Sequence, residues 1–175
     1  MKRLTLSLAL LVFGFSLSAC GSYNTPTAPT GTSPTKFTAI LLPANEVPAI
    51  VGAEAAGSGT ATITLNLTKD AYGSVTAATV DFAVTATGFP NGTVLTGAHI
   101  HPGSPGINGA VLISTGLAPG EVVLANGGGS FTKSGIAITV DQANTIMANP
   151  SSFYFNIHTV DNPNGVARGQ LTLAQ

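Results

Sequence analysis

Residues 60–67, Thr-Ala-Thr-Ile-Thr-Leu-Asn-Leu, alternate strictly between two kinds of side chain. A period of two puts Ala61, Ile63, Leu65 and Leu67 on one face and Thr62, Thr64 and Asn66 on the other, the signature of a strand buried on one side. The same alternation over 79–86 turns Val80, Phe82 and Val84 inward and leaves Asp81 and Thr85 outside. Further strands are predicted at 36–42, 94–101, 109–113, 121–125, 129–140, 152–159 and 167–173. Gly-, Asn- and Pro-rich turns separate them, at 69–73, 89–92, 126–128 and 161–165. Only residues 141–149 read as helix, with Asp141 as N-cap and Pro150 as the stop. Charged residues are 7% of the chain, and Thr, Val, Ala and Gly are abundant, which suits pleated strands joined by tight turns. The expected fold is all-β: an antiparallel Greek-key β-sandwich or flattened barrel with one short helix.

The N-terminus has a different pattern. Lys2 and Arg3 precede an apolar stretch from Leu4 to Leu17, and Leu17-Ser18-Ala19-Cys20 follows. Such a stretch is too short and wrongly flanked for a spanning helix, and its order is that of a secretory signal over residues 1–19. The closing tetrapeptide resembles a lipobox. That resemblance implies cleavage before Cys20, diacylation of its thiol and acylation of the new amino group, with palmitate-type chains. Cys20 is the only cysteine, so it has no internal disulfide partner, and lipidation removes a free thiol from an oxidising compartment. Two or three acyl chains anchor stably where one is marginal. Gly21 is not the aspartate of inner-membrane retention, which favours the outer membrane or cell surface. Residues 20–35, rich in Pro, Thr and Ser, bury too little to offset the entropy of ordering and are expected to form a tether. The remaining 36–175 form one domain, of a size that supports a real core.

Removing Lys2 and Arg3 leaves Lys36, Lys69, Lys133 and Arg168 against seven acidic residues, a charge of about −3. No basic patch exists to bind nucleic acid, and the expected membrane contact is through the anchor alone.

The three histidines carry the chemistry. His99 and His101 stand two apart in Thr-Gly-Ala-His-Ile-His and project from one strand face, with Ala98 and Ile100 on the core side. In 153–159, Phe153, Phe155 and Ile157 make the apolar face, so His158 points the other way with Tyr154 and Asn156. In the last strand Leu171 and Leu173 face in, which turns Arg168 and Gln170 out. All three imidazoles are therefore expected on the polar side, together with the one arginine left after signal removal. Neutral imidazoles suit copper and zinc, and three protein ligands leave a position open. The alternative is that the histidines merely order loops through backbone hydrogen bonds. Imidazoles within about 3–4 Å of one another would favour a shared ion.

Other chemistry has less support. Residues 102–109, Pro-Gly-Ser-Pro-Gly-Ile-Asn-Gly, lack the basic residue and helix start of a phosphate cradle and are expected to overhang the histidines. Ser114 and Ser130 have no base partner for a hydrolase triad. Glu46 and Glu54 show no paired spacing for glycoside chemistry and are expected to be solvated.

Three blocks, Leu41–Ala49, Gly97–Gly116 and Phe153–Leu173, together resemble the CHRD domain, named from chordin and present in many bacterial secreted proteins. A more distant resemblance is to the copper-site strands of Cu/Zn superoxide dismutases. It implies that His99 and His101 match the strand pair of copper ligands, His158 a later ligand, and Arg168 the anion-guiding arginine. No histidine lies between 101 and 158, so the bridging ligand and zinc subsite of those enzymes are missing, and their disulfide cannot form. Two functions follow as expectations. One is a lipid-anchored envelope protein holding a single metal ion (copper favoured, zinc second), with superoxide dismutase-like redox activity a lesser expectation. The other is a non-catalytic extracytoplasmic interaction or structural module. No protein partner is legible.

Overall fold

The computed structural model describes residues 32–174. The predicted signal, Cys20 and the first part of the tether lie outside them. Two antiparallel sheets pack face to face and do not close into a barrel. The first holds β1 (Thr32–Leu41), β2 (Ser58–Lys69), β3 (Val75–Thr87), β7 (Gly129–Ile138) and β10 (Thr172–Leu173), in the order β10-β1-β2-β3-β7. The second holds β4 (Thr93–Pro102), β5 (Ile113–Ser114), β8 (Phe153–Thr159) and β9 (Ala167–Gln170), in the order β5-β4-β8-β9, with β6 (Val122–Leu124) also pairing with β4. The non-sequential neighbours β3–β7 and β4–β8 are the crossovers of the expected Greek-key order. The sandwich is the architecture observed.

The alternating residues fill the space between the sheets. Ala61, Ile63, Leu65 and Leu67 of β2 and Val80, Phe82 and Val84 of β3 are buried, as expected, against Ala98 and Ile100 of β4 and Phe155 and Ile157 of β8. Phe82 and Phe155 meet across the sandwich with ring centroids 5.6 Å apart. The helix α1 (Val140–Ala148) turns Ala143 and Ile146 into this core. Its N-cap is Thr139 rather than Asp141: Thr139 Oγ1 accepts from the Gln142 amide and Gln142 Oε1 accepts from the Thr139 amide. This reciprocal box satisfies two donors that a cap at Asp141 would leave open.

Three boundaries differ from expectation for physical reasons. Strand β1 begins at Thr32, so residues 32–35, expected in the tether, pair with β2. Pro34 is tolerated there because β10 pairs only with Phe37 and Thr38 and leaves that stretch an edge. The expected strand 109–113 contracts to Ile113–Ser114, and the preceding Gly-rich segment is loop. The expected last strand, 167–173, is two strands in different sheets. Leu171 plugs the core at the crossing, and the face pattern resets there, leaving Leu173 62% exposed rather than inward. A bridge between Leu42 and Arg168, through both backbone N–H···O bonds, fastens the end of β1 to β9 at this corner.

Candidate metal centre

Strand β4 presents Gly97, His99 and His101 on its outer face. The register sets Gly97 opposite His158, His99 opposite Asn156 and His101 opposite Tyr154 of β8. Across β8, Asn156 faces Arg168 and Tyr154 faces Gln170 of β9. The polar residues thus form one continuous patch, as the alternation predicts. It is not a solvent face. All seven residues of β8 are buried, because the loops following β1, β4 and β8 fold over it.

Those loops orient the imidazoles. His101 Nδ1 lies 2.9 Å from Gly109 O and His158 Nδ1 lies 2.9 Å from Pro163 O. A carbonyl only accepts, so both rings carry their proton on Nδ1 and, when neutral, leave Nε2 as an acceptor. The 102–109 loop overhangs the histidines as expected, and Gly109 is the residue that makes the contact. His99 Nδ1 lies 2.9 Å from His158 Nε2, so in the neutral pair His99 donates to His158. Asn156 Oδ1 lies 3.0 Å from the same His158 nitrogen; as an oxygen that only accepts, it donates nothing to that lone pair.

Each imidazole offers one ligand nitrogen, and all three nitrogens lie within 4.8 Å of one another. Bonds of about 2.0–2.1 Å to one tetrahedral ion place its ligands about 3.3 Å apart. The spread is slightly wider than the 3–4 Å expected of a closed site, and rotation of side chains by less than 2 Å closes it, a distance roughly within ordinary rotamer freedom. His101 is 6% and His158 8% exposed, and His99 is half-buried. His101 Nε2 is buried with no hydrogen-bond partner. Leaving such an acceptor unsatisfied costs about 1–3 kcal/mol, which a cation at that nitrogen would remove.

Burial lowers the His99 pKa to about 4, with further lowering from the neighbouring His158 and His101. Burial also lowers that of His158, opposed by its bond to Pro163 and reinforced by His101. Both rings are therefore neutral at pH 7, the state a metal requires. The donor set is entirely uncharged, because among the described residues no carboxylate joins the cluster. These residues fit a transition ion.

Arg168 reaches the polar side, as expected, but is 1% exposed. Its Nε donates to Asn45 O at 2.6 Å and its Nη1 to Asn108 Oδ1 at 2.9 Å and Ile107 O at 3.3 Å. Its Cζ lies 4.5 Å from the Tyr154 ring centroid. Its Nη2 is buried with no hydrogen-bond partner, so the guanidinium is enclosed by protein rather than open to solvent.

The two glutamates expected in solvent are buried. Glu54 accepts from Thr159 Oγ1 at 2.8 Å and from the Asn162 side chain, clamping the loop that supplies Pro163. Glu46 Oε2 stands 3.8 Å from Arg168 Nε and its Oε1 has no partner. That contact is too long to offset desolvation, which holds the Glu46 carboxyl up at about 7. Sequence alternation could not locate these loop residues. It also passed over Gly97, where a Cβ would meet His99 Cε1 at 3.2 Å: the missing side chain is what makes room for the rings.

A family model described as the CHRD domain matches residues 37–171. No curated protein and no solved structure matches the chain.

Proposed function

The chain belongs to the CHRD domain family, and we propose that it is a metal-binding member held at the bacterial envelope by a lipid on Cys20. One transition ion is bound by His99, His101 and His158. The observation that carries this reading is a buried, partnerless His101 Nε2 in a cluster of three histidines, each of which brings one ring nitrogen within 4.8 Å of the others. Two of the three tautomers are already set by carbonyls, so the lone pairs are preorganised rather than recruited. Copper is favoured over zinc because a neutral imidazole set binds divalent copper more tightly along the Irving–Williams order. Three ligands leave a further coordination position for water or a small ligand.

Calorimetric titration of the protein with copper(II) and with zinc(II) tests this, alongside His101→Ala and His158→Ala. Tight one-to-one binding that both substitutions abolish supports the proposal. Binding no tighter than that of an unrelated protein, or unchanged in the variants, sinks it and leaves a histidine pair that only orders loops.

A further inference from the structure

His101, Tyr154 and Arg168 form a three-layer stack. The His101 and Tyr154 rings lie 4.9 Å apart and 5° from parallel. The Arg168 guanidinium sits 4.5 Å from the Tyr154 centroid. Since β8 runs between β4 and β9, the imidazole and the guanidinium occupy opposite faces of the phenol. A cation over one face of an aromatic ring and a flat ring on the other make a stack with little freedom to tilt.

The same three residues converge on one loop. Arg168 Nη1 donates to Ile107 O and Asn108 Oδ1, and Tyr154 Oη accepts from the Gly109 amide at 3.3 Å. Gly109 O in turn accepts from His101 Nδ1. Gly109 also packs directly on the end of β4, where a Cβ would stand 1.7 Å from Pro102 O, so only a glycine makes this approach. The plane of His101 is therefore set by Tyr154, its proton by Gly109, and the position of Gly109 by Arg168 and Tyr154.

We propose that Tyr154 and Arg168 are positioning residues for His101. Together they hold its ring in the Nδ1–H tautomer and present the bare Nε2 to the metal position; Arg168 acts through packing and loop fixation, not by drawing anions in. The effect on metal affinity rests on the three-histidine reading, whereas the effect on the ring itself does not.

The test uses the full chain and the variants Arg168→Lys, Tyr154→Leu and Tyr154→Phe. In the metal-free protein, long-range 1H–15N correlations of the histidine rings report the His101 tautomer directly. The wild type is expected to show a single Nδ1–H form; Arg168→Lys and Tyr154→Leu are expected to show averaging with the Nε2–H form. Copper(II) affinity is expected to fall by about 10- to 100-fold in both, the usual effect of losing an outer partner of a ligand. The copper EPR parameters should shift as well. Tyr154→Phe keeps the stack and loses only the Gly109 bond, so its effect should be smaller, and it carries the test with Tyr154→Leu if Arg168→Lys does not fold. A single Nδ1–H tautomer and affinity within twofold of wild type in all folded variants overturns the proposal. Should the wild type bind no copper, the metal reading falls, and the tautomer measurement still decides the positioning role.

Discussion

His99 Nδ1 and His158 Nε2 lie 2.9 Å apart, on strands that are neighbours in the sheet but 59 residues apart in the chain. The His158 proton is engaged by Pro163 O on the other side of the ring, so the bond between the two histidines is made by a proton on His99. An ion entering the cluster takes the place of that proton bridge, and His99 meets the ion with a shifted tautomer or a turned ring.

Metal binding should therefore stabilise the fold measurably. Copper present at 100 times its dissociation constant is expected to raise the unfolding free energy by about 2.7 kcal/mol, read as an upward shift in Tm that a chelator reverses. His158→Ala should show no such shift.

Gly97→Ala isolates the spacing of the rings. The added methyl group would stand 3.2 Å from His99 Cε1 and 3.9 Å from His158 Cδ2, so His99 must give way by a few tenths of an ångström. Copper affinity is expected to drop by about tenfold, with circular dichroism and Tm of the metal-free protein close to wild type. Unchanged affinity would mean that the rings have slack.

The pH dependence of the metal-free protein follows from His99. Its pKa is about 4 in the folded chain, lowered chiefly by burial, against about 6.5 in the unfolded chain. Between those values the unfolded chain takes up a proton that the folded chain refuses, so stability from this group is full above about pH 6.5 and is lost as pH falls toward 4. His158 acts in the same direction. The ring resonances of His99 should titrate near pH 4, and His99→Gln should flatten the decline in Tm over this window.

Glu46 has the opposite sign. Desolvation raises its carboxyl to about 7 despite the nearby Arg168, above the unfolded value of about 4.5. The folded state holds the extra proton between these values, so stability is lost as pH rises from about 4.5 through 7. Glu46→Gln removes this loss. Denaturant unfolding should find the variant gaining on the wild type as pH is raised, and a constant difference would count against a buried, protonated carboxyl.

At the core, Phe82→Ala removes a ring that packs on Phe155 across the sandwich. The expected cost is about 3–5 kcal/mol, measured by urea unfolding. It tests the inter-sheet contact independently of the metal.

Much of the fold was legible because its cause is local. A period of two sends Ile63, Leu65, Val80, Phe82, Ile100 and Phe155 to one side whatever the partner strands are, and all six are buried. The same rule placed His99, His101 and His158 on the opposite side of their strands. Alternation has no term for a chain that changes sheets, so it predicts one strand over 167–173 with Leu173 inward, whereas the crossing at Leu171 exposes Leu173. Nor has it a term for loops that return. Glu46, Glu54 and Gly109 became part of a buried polar layer through contacts spanning 8 to 122 residues.

Which residues share a face follows from their order along the chain, since it depends only on the pleat of each strand. What covers that face depends on how distant segments pack. Pairing β4 with β8 brought three imidazoles together, and the folding of three loops over them turned a surface into a largely buried polar layer, fixed two tautomers and enclosed Arg168. Burial is a property of the neighbours a residue acquires, and those neighbours are set by long-range pairing that a single strand does not encode.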